Sequence, residues 1–350
     1  MREGYIDFNP ENRILITGGT GFIGFHLGKR LLNAGAAVIA IDNMNDYYDV
    51  NLKKNRLEIL QKYEKFTFVE GSIADEALVN SIFETYKPDI VVNLAAQAGV
   101  RYSIDNPRSY IESNLVGFFN ILEACRHSYD VGTEKDNDEK YKGVQHLLFA
   151  SSSSVYGNQE KIPFSVSDPV DHPISLYAAT KKSNELMGYA YCHLYGIPMT
   201  GLRFFTVYGP MGRPDMAYFK FANKMKNREV IQIYNNGDML RDFTYIDDIT
   251  AALEKMLCNA PLPNSEGDKF KVYNIGNNQP EKLMDYIETL ERSLGIVAQK
   301  EFLPMQPGDV YQTYADVDEL IRDFEFKPST SIEKGLGEFA KWYREYYSLD

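Results

Sequence analysis

Arg13-Ile-Leu-Ile-Thr17, followed by Gly18-Gly-Thr-Gly21-Phe-Ile-Gly24, reads as a short buried strand running into a glycine turn, and an amphipathic segment continues to about Ala34. Gly18 permits the tight turn, Gly21 lets the backbone approach a pyrophosphate at the positive end of a helix, and Gly24 lets that helix close on the strand. The spacing is G-x-x-G-x-x-G rather than G-x-G-x-x-G. A second apolar run, Ala37 to Ile41, ends at Asp42, where a ribose-binding acid should lie. A carboxylate there accepts hydrogen bonds from ribose hydroxyls and repels a 2'-phosphate, so the cofactor expected is NAD rather than NADP.

Outward from this turn, apolar runs alternate with helical patterns. Phe66 to Glu70, Ile90 to Leu94, His146 to Ser151 and Met199 to Phe204 read as further strands. Such alternation means an α/β, doubly wound parallel Rossmann sheet covered on both faces, with functional residues just past the strand ends. Ser128 to Gly143 and Pro261 to Lys269 read as exposed polar loops. Beyond Phe205 the pattern loosens into short elements punctuated by Pro210, Pro214, Gly237, Pro304 and Pro307. The expected division is a nucleotide-binding domain over 1–205 with returns near 241–276, Val272 to Ile275 among them as a last strand, and a smaller C-terminal α/β substrate lobe from 206–240 and 277–350. Ile332 to Tyr347 is expected to be a helix, with Trp342 in its packing.

Composition excludes several classes of function. The 350 residues suffice for a substantial core, and a formal charge of −12 argues against nucleic acid as a partner. Three cysteines, Cys125, Cys192 and Cys258, are too scattered for a metal cluster or a disulfide framework, so no metal is expected. With no long apolar stretch and no signal peptide, the expected location is cytoplasmic, away from the membrane.

Tyr177 and Lys181 lie four residues apart in a helical pattern, on one face, where an ammonium can lower a phenol's pKa toward neutrality. A phenolate so poised is a general base for an alcohol proton. The serine run Ser151 to Ser154 closes one predicted strand and Asn93-Leu-Ala-Ala-Gln97 closes another, as the strand-end rule requires.

These stretches together resemble the extended short-chain dehydrogenase/reductases. The glycine turn, Asn93-Leu-Ala-Ala-Gln97, Ser151-Ser-Ser-Ser-Val-Tyr-Gly157, Tyr177-x-x-x-Lys181, Arg241-Asp-Phe-Thr-Tyr-Ile-Asp-Asp248 and Gln306-Pro-Gly-Asp309 occur in that family's order across nearly the whole chain. Within the family, Asn45-Asp-Tyr-Tyr-Asp49, Ala96-Gln-Ala-Gly-Val-Arg-Tyr102 and Gly201-Leu-Arg-Phe-Phe-Thr-Val-Tyr-Gly-Pro-Met-Gly-Arg-Pro-Asp-Met216 are most similar to the UDP-glucuronate 4-epimerases.

The resemblance implies tightly held NAD, a UDP-sugar between two lobes, and a homodimer packed through the helices near Tyr110 to His127 and Tyr177 to Tyr195. It implies a cofactor site from Gly18, Gly21, Phe22, Ile23, Gly24, Asp42, Asn43, Ser72, Ile73, Leu94, Ala95, Ala96 and Gln97, with Tyr177 and Lys181 at its reactive end. Tyr177 would take the proton of the sugar C4 hydroxyl, Lys181 would hold the phenolate, and Ser152 would relay the proton. Ser153 and Ser154 would hold the substrate carboxylate, as would Thr206, which stands where neutral-hexose epimerases and decarboxylases have Asn. Arg241 and Arg213 match anion ligands, Arg101 is placed to reach a uronate or a phosphate, Asp309 matches a ribose ligand, and Tyr234 is a candidate to stack on uracil.

At the 4-keto stage three outcomes stay open: epimerisation of a UDP-uronate, decarboxylation, or epimerisation of neutral UDP-hexoses. Related decarboxylases and dehydratases carry an acid where this chain has Ser154, and its absence favours the first. A catalytically silent NAD sensor would have no use for an activated phenol.

Overall fold

The computed structural model describes residues 2–130, 141–305 and 311–349. Its centre is a seven-stranded sheet. Six strands come from the first part of the chain: β1 (Arg13–Thr17), β2 (Ala37–Asp42), β3 (Phe66–Glu70), β4 (Ile90–Asn93), β5 (His146–Ser152) and β6 (Met199–Phe204). Three short strands follow, β7 (Thr206–Tyr208), β8 (Val230–Ile233) and β9 (Leu240–Tyr245), before β10 (Phe270–Ile275) rejoins the sheet beside β6. The order is β10-β6-β5-β4-β1-β2-β3, and every pairing is parallel.

Parallel strands need crossovers, and helices on both faces make the interior strands apolar throughout. Ile14, Leu15 and Ile16 are accordingly buried without alternation, and one cluster gathers Ile14 and Ile16 while the opposite-face cluster takes Leu15. The chain reverses its direction of sheet growth between β1 and β4. A crevice opens there at the strands' carboxyl ends, where such folds bind ligands.

The later residues build a smaller layer. Strands β7 and β9 pair in parallel, β11 (Pro280–Lys282) pairs antiparallel with β9, and β12 (Gln299–Phe302) pairs with β8. Helices Ala217–Lys226, Leu283–Leu294 and Ile332–Tyr346 cover them, with Phe219, Tyr286, Phe339 and Tyr343 in a buried aromatic core. Trp342 packs against Phe219 and Tyr346 there.

One loop expectation needs correcting. The polar stretch at 128–143 is anchored at both ends, because Ser128 and Tyr141 are buried and the Tyr141 hydroxyl donates to the Pro88 carbonyl; residues 131–140 lie outside the described set. The second stretch, 261–269, is exposed apart from Pro261 and Asp268; Asp268 accepts from the Tyr189 hydroxyl, donates its backbone amide to Asn264 Oδ1 and pairs with His193. Cys125 and Cys192 are buried thiols and Cys258 is half-buried. No helix among the described residues is long and apolar enough to cross a membrane.

Candidate active site

A cleft of about 1000 Å³ runs from the glycine turn, across the ends of β4 and β5, to the smaller layer. Its first half is backbone. Gly18 sits at φ +68°, and a Cβ built on Gly24 would lie 2.2 Å from the Gly18 carbonyl oxygen, so helix and turn touch with no room for a side chain. The Phe22–Asn33 helix starts at Gly21 without any side-chain cap. Its N-terminal residues Gly21, Phe22, Ile23 and Gly24 line the cleft instead, a cradle that fits a pyrophosphate. Asp42, Asn43, Ser72, Ile73 and the run Leu94 to Gln97 line the same half.

Asp42 is buried and accepts from the Thr20 and Met44 amides. It also faces a cation that the sequence reading missed. Lys53, eleven residues on in the Val50–Leu60 helix, brings its ammonium to 3.5 Å from the Asp42 carboxylate.

The second half gathers the residues expected to carry the chemistry. Ser175 caps the Leu176–Tyr195 helix by accepting from the Ala178 amide, and the helix carries Tyr177 and Lys181 into the cleft. Ser152 ends β5 and caps a 3-10 turn; its Oγ accepts from the Ser154 amide (3.2 Å) and from Ser154 Oγ (2.9 Å). The Tyr177 phenol and the Ser152 hydroxyl share this end of the cleft.

The expected tuning differs from what the structure shows. Burial pushes the Tyr177 phenol above its ordinary value, and the Ser152 hydroxyl and the Arg213 charge, which act downward, do not overcome it. Lys181 does not supply the lowering. Its ammonium donates to the Ala150 carbonyl at 2.9 Å and stays 6.0 Å from the Tyr177 ring centre, and its own burial brings its pKa down to about 8.

Thr206 opens β7 at the cleft wall, and its hydroxyl has no hydrogen-bond partner among the described residues. Ser153 and Ser154 face the same space. Arg213 reaches the cleft but is forked onto Asp215 through Nε (3.0 Å) and Nη2 (2.5 Å), with the Tyr47 hydroxyl also donating to that carboxylate. Arg241 is held by the Leu240 and Tyr311 carbonyls, both at 2.9 Å. Arg101 and Tyr234 meet across the cleft, the guanidinium 5.7 Å from the ring centre, so Tyr234 is a wall residue rather than a core aromatic. Asp309 lies outside the described residues.

The family model for the NAD dependent epimerase/dehydratase family matches residues 14–276. The chain belongs to that family. The Staphylococcus aureus protein CapI is 52% identical over 346 residues, 96% of this chain and 99% of the relative. A probable UDP-glucuronate 4-epimerase of Rhizobium meliloti (strain 1021) is 45% identical over 350 residues, 96% of this chain and 98% of the relative. Among solved structures, the UDP-glucuronic acid 4-epimerase from Bacillus cereus, in complex with UDP-glucuronic acid and NAD, matches with a TM-score of 0.83 and 31% identity, covering 96% of this chain and all of that one, 100%.

In this family member two supports behind the cleft escaped the sequence reading. Asn114, in a π-helical turn at Ile111–Val116, accepts from the Gln97 amide and donates to the Gln97 carbonyl and the Thr180 hydroxyl, joining the cofactor-side loop to the Tyr177 helix. Beneath the serine run, Glu185 accepts from Ser151 (2.6 Å) and from two nitrogens of Arg203 (2.8 Å each). The π-helical turn leaves no periodic signal in the sequence. Glu185 lies four residues after Lys181, and that spacing was the one available clue.

Proposed function

We propose that this protein is an NAD-dependent isomerase, a 4-epimerase that interconverts UDP-glucuronate and UDP-galacturonate in the cytoplasm. The observation that carries the reading is the convergence of Ser152, Tyr177 and Lys181 with an unpartnered Thr206 hydroxyl, beside a phosphate-binding glycine turn, in one cleft. Support comes from the relatives of that name and from the Bacillus cereus enzyme, whose structure contains UDP-glucuronic acid and NAD.

Gly18, Gly21 and Gly24, with Asp42 and the Leu94 to Gln97 run, would hold NAD, which when bound supplies a hydride acceptor that returns the hydride and a positive charge beside Tyr177. Tyr177 takes the C4 hydroxyl proton as that carbon is oxidised and gives it back when the hydride is returned to the opposite face of the sugar. Ser152, which lines the cleft with Tyr177, passes the proton between phenol and sugar oxygen. Lys181 anchors the helix face at Ala150 and orients the nicotinamide ribose.

Ser153, Ser154 and Thr206 hold the uronate carboxylate through neutral hydroxyls, so no acid repels the anion or delivers a proton to C5. Arg213 and Arg241 take the pyrophosphate, Arg101 and Tyr234 close over the nucleotide, and Asp309 completes the ribose contacts. Nothing is consumed but the configuration at C4.

The test is incubation of purified protein with UDP-glucuronate and separation of products. UDP-galacturonate should form without added nucleotide, and Tyr177→Phe should abolish its formation while keeping bound NAD. UDP-xylose with carbon dioxide as the main product, or turnover confined to UDP-glucose, would overturn the assignment.

A further inference from the structure

Lys53 is a buried cation at the adenosine end of the cleft that the C4 chemistry does not use. Its side chain and that of Asp42 are each only 6% exposed, and their closest approach is 3.5 Å. Its ammonium also donates to Asn45 Oδ1 at 3.0 Å and lies over the Tyr48 ring, 5.3 Å from its centre. All four residues line the cleft.

Asp42 does not need Lys53 to be satisfied. Two backbone amides, Thr20 and Met44, already donate to its two oxygens, so each oxygen has a partner without the ammonium. A buried ammonium is costly, and where the neighbouring acid is already served, packing alone would be met by an apolar side chain. The distance is equally informative, because a strong charge-assisted N–H···O bond closes to about 2.7–2.9 Å. This pair stands apart by more than that, side by side along the cleft wall.

A ribose diol offers two hydroxyls, and each both donates and accepts. A carboxylate satisfies only the donating side. An ammonium beside it supplies the donor for a hydroxyl oxygen. We propose that Lys53 is a cofactor-binding residue that donates to the adenosine ribose diol while Asp42 accepts from it, and that the Asp42–Lys53 pair, rather than Asp42 alone, sets the preference for NAD over NADP.

Selection then works differently from simple repulsion. Lys53 offsets the charge of Asp42, so the carboxylate excludes a 2'-phosphate chiefly by occupying the cation that would bind it. Taking the carboxylate away exposes a lysine to the phosphate; taking the lysine away leaves a bare acid.

The inference rests on the NAD reading above, and one experiment separates the two. Full-length wild type, Lys53→Met, Asp42→Ser, Asp42→Asn and Asp42→Ser/Lys53→Met are equilibrated with equal excesses of NAD and NADP, freed of unbound nucleotide, and the retained nucleotide is released and quantified, with circular dichroism recording the fold. Wild type should hold NAD. Lys53→Met should hold NAD about tenfold more weakly, the loss expected for one charged hydrogen bond, and discriminate more strongly against NADP. Both single Asp42 variants should gain NADP by about tenfold or more, and the double variant should lose that gain.

Folded Asp42 variants that take up no NADP, or a double variant that retains it as well as Asp42→Ser does, would overturn the role of Lys53 while leaving the cofactor reading intact. Wild type retaining neither nucleotide would remove both.

Discussion

At the scale of single residues, Lys181 shows how burial and function pull against each other. The residue is 3% exposed, its ammonium donates to the Ala150 carbonyl, and desolvation lowers its pKa from 10.5 to about 8. A depressed lysine pKa means the unfolded chain binds more protons than the folded one between those two values. The penalty is therefore fully present below pH 8 and is released as pH rises from 8 toward 10.5. It amounts to about 3 kcal/mol, of which loss of the Ala150 hydrogen bond in a variant would offset about 1 kcal/mol. Lys181→Met, compared with wild type after bound nucleotide is removed from both, should thus be about 2 kcal/mol more stable at pH 7 while losing turnover. Denaturant unfolding at pH 7 and pH 10 checks the sign: the advantage should shrink at the higher pH, and a constant or growing one would contradict the burial argument. Tyr177 shows the companion effect. Its helical spacing to Lys181 was legible in the chain, but the direction of its titration was not, because burial depends on neighbours such as Tyr110 that are distant in sequence.

At the scale of elements, the cleft is held in shape by contacts between strand ends and the Leu176–Tyr195 helix. Glu185 on that helix and Arg203 on β6 form a fork with side chains 5% and 4% exposed, and Arg203 passes the connection through Tyr156 and Asn274 to the carbonyls of Phe164 and Asp316. Burial raises the Glu185 carboxyl, but the fork and the Ser151 hydroxyl outweigh it and hold it below its ordinary value. Breaking one side of such a pair strands a buried charge, so Glu185→Gln should cost about 3–5 kcal/mol, and Glu185→Gln/Arg203→Met should recover part of it. The wild-type contribution should be present above the ordinary carboxylate range and disappear as pH falls through the folded value, so chemical denaturation at pH 7 and near pH 4 should find the variant's deficit smaller in acid. An undiminished deficit would place the pair's worth in packing instead. The strands that carry these residues were legible because a parallel sheet buried on both faces writes uninterrupted apolar runs, as in Ile14 to Ile16. The partners were not, since Glu185 with Arg203, Asp42 with Lys53 and Asn114 with Gln97 are chosen by three-dimensional proximity that periodicity does not encode.

At the scale of the whole molecule, the same helix that presents Tyr177 inward presents apolar residues outward. Leu186 and Leu194 are 60% and 66% exposed, with Tyr189 and Tyr195 beside them, and the adjoining 111–127 segment exposes Ile111, Val116 and Phe119. The two segments are packed together, through Phe119 against Tyr191 and the Tyr191 hydroxyl on Glu123, so their outer faces form one surface. Exposed apolar side chains gathered on one helix pair of an acidic protein are a candidate association site, and a two-fold axis through that pair would bury the same residues in both copies. We propose this surface as the seat of the homodimer that the family resemblance implies. Leu186→Glu/Leu194→Glu places like charges face to face across that axis and desolvates them on association, at a cost of several kcal/mol, enough to raise the dissociation constant by more than about a hundredfold. Sedimentation velocity at micromolar protein should find the wild type as a dimer and the double variant as a folded monomer. A wild type that sediments as a monomer, or a variant that stays dimeric, would move the interface elsewhere.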